Sequence, residues 1–66
     1  MERQTLEHLN KKLEERVVTL IEFMADGGCK SYDHYKELCG HIRGLRAAQS
    51  ESGDLVRKLK EYDNDD

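Results

Sequence analysis

The chain has 66 residues, 38% of them charged and 36% hydrophobic, with five glycines, two cysteines, no proline or tryptophan and a net charge of −3. So short a chain has a thin core with which to offset roughly 1.5 kcal/mol of ordering entropy per residue, and two cysteines supply no disulfide framework to compensate. The negative balance argues against nucleic acid as main ligand, and the longest apolar-rich run, Val17 to Ala25, is too short and polar to cross a bilayer.

Nothing breaks a helix between Glu2 and Ala25. Leu6, Leu9, Leu13, Val17, Leu20 and Met24 step by 3, 4, 4, 3 and 4 residues, one apolar stripe along an amphipathic helix over about 2–25. Asp26-Gly27-Gly28 follows, and glycine just past the last periodic residue is the usual left-handed cap, so the chain turns over 26–30. Ser31 is a good N-cap, with Asp33 in the first turn where the helix dipole favours a carboxylate. Tyr35, Leu38, Cys39, Ile42 and Leu45 form a second stripe, and its phase continues through Ser52, Val56 and Leu59. That continuity predicts one long helix over about 31–62, weakened, bent or broken near 50–53, rather than three helices. The expected architecture is therefore all-α: a single antiparallel helical hairpin over 1–62, oligomeric or partner-bound, with an acidic flexible tail at 63–66. Met1, the lack of an apolar leader and two unframed cysteines suggest a soluble protein of a reducing, cytoplasmic setting that relies on a partner or on copies of itself.

The stretch Gly27 to Leu45 holds both cysteines and two of the three histidines. As zinc ligands Cys29, His34, Cys39 and His41 run C-x4-H-x4-C-x-H, which matches no familiar spacing. On a helix Cys39 and His41 point about 200° apart, and His34 and His41 lie about 10 Å apart along the axis. No metal site within one chain is expected. Cys39 has no base one turn away and reads as a small buried hydrophobe. No catalytic constellation and no cofactor motif appears elsewhere, so an enzyme is not expected.

Two features point instead to docking. Gly40 and Gly44 lie opposite the stripe of the second helix with Ala47 beside them, and each interior glycine costs roughly 1 kcal/mol relative to alanine. Val18, Ile21 and Phe23 extend the apolar surface of the first helix at the same end. Extra apolar surface on a short chain marks an interface, so Val18, Ile21, Phe23, Gly40, Gly44 and Ala47 are the candidate contacts with a second copy or a larger protein. Lys36, Arg43, Arg46 and Arg57 form a basic line along the second helix, a docking edge for an acidic protein surface or, as the weaker alternative, DNA.

The segment Gly27 to Leu45, with a charged amphipathic helix before it and a charged helix and acidic end after it, resembles short helical proteins encoded among the packaging and head–tail genes of short-tailed bacteriophages. The shared elements are the glycine turn and Tyr35, Leu38, Gly40, Ile42, Arg43, Gly44 and Leu45. The resemblance implies a non-enzymatic virion or assembly accessory protein in the host cytoplasm or in the particle, acting as repeated copies around the portal or head–tail junction. A small regulatory protein binding a host enzyme or the packaging motor is the alternative; a nucleic-acid accessory protein is a third.

Overall fold

The computed structural model describes residues 3–63 and consists of two helices, α1 (Arg3–Ala25) and α2 (Tyr32–Asp63), packed side by side as an antiparallel hairpin of 54 × 15 × 15 Å. The acidic end begins at the last helical residue, Asp63; positions 64–66 lie outside the described residues.

The turn is a glycine-capped Schellman motif. Gly27 takes φ +83° and donates its N–H to the Met24 carbonyl at 3.1 Å, and Gly28 donates to the Phe23 carbonyl at 2.9 Å. The two glycines serve different needs. Gly27 occupies the left-handed region that costs other residues roughly 1–2 kcal/mol. Gly28 is covered by the Phe23 ring, whose Cζ lies 2.4 Å from where a Cβ would stand. Ser31 then caps α2, its Oγ accepting the His34 N–H at 3.1 Å.

α2 is helical without interruption through Gly53. Its continuity follows from the shared phase of the residues on either side, which keeps one face against α1. The half-buried and buried residues of α2 between Leu38 and Leu59 are Leu38, Cys39, Ile42, Leu45, Gln49, Ser52, Gly53, Val56 and Leu59. On α1 they are Arg3, Leu6, Asn10, Leu13, Val17, Leu20, Met24, a strict alternation of three- and four-residue steps. This is the heptad seam of a two-stranded antiparallel coiled coil.

The seam corrects the stripe read from apolar residues alone. Leu9 is 42% exposed and its place is taken by Asn10, because a two-helix seam is narrower than the apolar arc of α1. Tyr35, expected within the second stripe, is 46% exposed for the same reason. Only Leu6, Val17 and Ser52 are buried among the described residues, and Val17 alone is closed off completely. Asn10 Oδ1 and Ser52 Oγ are buried without a hydrogen-bond partner. They lie between two rungs joining the helices: Gln49 Nε2 donating to Glu14 Oε2 at 2.7 Å, and Lys60 Nζ beside Glu7 Oε1 at 3.9 Å.

Candidate functional surfaces

Each helix has a seam and two flanks, and the contacts across the hairpin show which flanks share a face. Glu7, Lys11, Glu14, Val18, Ile21 and Ala25 alternate steps of four and three along α1. Tyr32, Lys36, Cys39, Arg43, Arg46, Ser50, Gly53, Arg57 and Lys60 do the same along α2. The Glu7–Lys60 rung joins these two lines, so they form one broad face. The opposite flanks are Thr5, Leu9, Lys12, Arg16, Thr19 and Phe23 on α1, and His34, Glu37, His41, Gly44, Ala48, Glu51, Leu55, Lys58 and Tyr62 on α2. The Phe23 and His34 rings meet edge to face at 6.1 Å and join these as the second face.

The first face is basic. Its α2 line has five cations and no acid. Arg57 is paired with Asp54 and Lys60 with Glu7; Lys36 lies 5.5 Å over the Tyr32 ring, which stacks at 6.3 Å on Tyr35. Arg43 and Arg46 have no ion-pair partner among the described residues. The Tyr35 phenol is held above its usual pKa of 10.0, first by its hydrogen bond with Cys39 and the thiol's charge, then by burial and by Tyr32 and Cys29. Both cysteines are free and half-buried.

The second face mixes its charges. Lys12 and Arg16 stand on α1, Glu37, Glu51 and Lys58 on α2, and the apolar side chains between them are open to solvent: Leu9 42%, Phe23 45%, Leu55 49% and Tyr62 76% exposed. Glu37, Gly40, His41, Gly44 and Leu45 line a shallow depression on its α2 side.

The six residues expected to form one interface are therefore divided. Val18 and Ile21, 41% and 43% exposed, are on the basic face, and Phe23 and Gly44 on the mixed one. Gly40 and Ala47 occupy the back of α2, about 160–180° from its seam. Neither Gly40, Gly44 nor Gly53 has anything within 4 Å of a Cβ, so the packing of a single hairpin requires none of them. The basic line Lys36, Arg43, Arg46 and Arg57 is contiguous and gains Lys60. His34 is half-buried against Phe23, with its Nδ1 3.5 Å from the Lys30 N–H.

Among the described residues no group of three or more His, Cys, Asp or Glu side chains is placed to hold a metal ion, and no helix is long and apolar enough to cross a membrane. No protein-family model, curated protein or solved structure matches the chain.

Proposed function

We propose that this chain is a non-enzymatic interaction protein that works by helix packing, docking onto copies of itself and onto a larger assembly. The observation that carries this reading is the imbalance of the hairpin: among the described residues Leu6 and Val17 are the buried hydrophobic ones, while eight large hydrophobics remain 41–76% exposed. Two helices meeting along one narrow seam leave the remaining apolar arc uncovered, and surface of that kind on a small chain marks an interface. A phage setting, around the portal or head–tail junction, rests on the sequence resemblance alone.

The test is thermal unfolding of the isolated chain at high dilution, with amide hydrogen exchange in parallel. Weak protection and a broad transition that sharpens on association support the reading. A dilute monomer that melts cooperatively with strongly protected amides overturns it.

The acid-free cation line favours a second use of the same hairpin, as an edge for an acidic surface of the larger assembly. The exposed Val18 and Ile21 beside that line suit a protein better than a phosphate backbone. Salt-sensitive retention of the chain on DNA, with no binding to an acidic helical peptide, would reverse that choice.

A further inference from the structure

We infer that the charge-mixed face is the site where a second copy of this chain docks, closing two hairpins into an antiparallel four-helix bundle in which α1 of each copy lies on α2 of the other. This rests on the interaction reading and names the partner.

The first argument is charge. Lys12 and Arg16 sit on the α1 flank, and Glu37, Glu51 and Lys58 on the α2 flank, so laying α1 on the partner's α2 sets Lys12 against Glu51 twice by symmetry, with Lys58 beyond Leu55 toward the open end. Turning one copy over, so that α1 meets α1, would set Lys12 and Arg16 against their own kind. In the single hairpin Lys12 reaches only Glu15 of its own helix, at 3.7 Å, and Arg16, Glu37 and Glu51 have no ion-pair partner among the described residues. The basic face cannot pair with itself in the same way, because five cations of its α2 line would face only Glu7 and Glu14 on the α1 line, with Lys11 between them.

The second argument is level. Leu9 and Lys12 fall between Glu7 and Glu14 on α1; Leu55 and Glu51 fall between Gln49 and Lys60 on α2. The two rungs make these stretches one tier of the hairpin. A two-fold axis parallel to the helices keeps every tier level, so Leu9 of each copy meets Leu55 of the other and Lys12 meets Glu51. Farther toward the turn the same overlap sets Arg16 and Thr19 over Gly44 and Ala48, where the missing or short side chains let the helices approach. The third argument is size. The face has an outline of 54 × 15 Å, about 800 Å², which gives it room for one partner's share of a standard stable interface.

Sedimentation equilibrium on the full chain over about 1–100 µM, a range in which an interface of this size is resolvable, reads the association directly. A monomer–dimer equilibrium is expected. Lys12→Glu alone and Glu51→Lys alone should each raise the dissociation constant at least about tenfold, and the doubly exchanged chain K12E/E51K should return to within about threefold of the original. Circular dichroism on each variant checks that the helices persist. A chain that stays monomeric throughout overturns the proposal, as does a dimer indifferent to the single changes or one the double exchange fails to restore. A monomer that is also loosely protected at every concentration removes the second copy but keeps the interaction reading; only a well-protected dilute monomer removes both.

Discussion

Lys36, Arg43, Arg46, Arg57 and Lys60 run along one face of the hairpin without an acid among them, whereas the other face sets Lys12 and Arg16 on α1 across from Glu37, Glu51 and Lys58 on α2. Both faces carry exposed apolar residues, so hydrophobicity does not tell them apart. Charge order does. A face that sets a cation of one flank level with an acid of the other complements itself under a two-fold axis, and a face with five cations against two acids does not. The same pair of helices thus offers one surface suited to its own copy and one suited to something acidic.

The strongest way to break this distinction is a charge at the centre of the mixed face. Leu55→Arg removes an exposed apolar contact and places cation beside Lys12 of the partner. The dissociation constant should rise about a hundredfold, near 2.7 kcal/mol, in sedimentation equilibrium. Val18→Arg, at a similarly exposed site on the basic face, should leave it nearly unchanged. Equal losses from both would dissolve the difference between the faces.

The turn separates two kinds of glycine and sharpens the comparison at the closed end. Gly28→Ala drives a methyl into the Phe23 ring, which is 2.4–2.5 Å from the Cβ position, and should cost about 2 kcal/mol, or roughly 10 °C in Tm. Because the obstacle is a ring and not backbone, the cost should shrink to a few tenths of a kcal/mol in a Phe23→Ala background. Displacing that ring also disturbs the mixed face, which Phe23 and His34 border at the turn. Persistence of the full cost without the ring would place the strain in the backbone of the turn.

Much of the fold was legible from spacing. Glycines at 27 and 28, Ser31 as cap, and an apolar phase held across Ser52 and Gly53 specify two helices and one turn. The register of the seam was less legible. Leu9 satisfies the helical arc as well as Asn10 does, and only the partner helix, by covering a narrower strip than the arc, selects the polar residue. The candidate surface was legible as composition and not as place. Val18, Ile21, Phe23 and the small residues are all uncovered, but the flank each occupies depends on which side of the seam the antiparallel partner puts it. The cation line was readable in full because it lies on one helix.

Glycines inside α2 give the next effect, smaller and opposite in sign. Gly53 and Gly44 each have open space where a Cβ would go, so alanine at either should raise helix stability by up to about 1 kcal/mol in a monomer. They differ in face. Gly53→Ala, on the basic side, should raise Tm and leave association alone, while Gly44→Ala should raise the monomer's Tm and weaken the dimer a fewfold by holding the helices apart. If both variants associate more tightly, close approach at Gly44 is not part of the interface.

The smallest effect belongs to the cations themselves. Arg43 and Arg46 are exposed and have no ion-pair partner among the described residues, so replacing both with glutamine removes no contact of the hairpin. Glutamine keeps the helix propensity and most of the stem, and isolated surface charges contribute little to stability. The Tm should move by no more than a degree or two and the dissociation constant of the dimer by less than twofold. What should change is binding to an acidic amphipathic peptide, which loses two charge contacts and with them part of its salt dependence. Stability and self-association that hold while acidic binding falls would assign the two faces separate tasks. A dimer weakened by these two substitutions would instead place the second copy on the cation line, against the charge argument that put it on the other side.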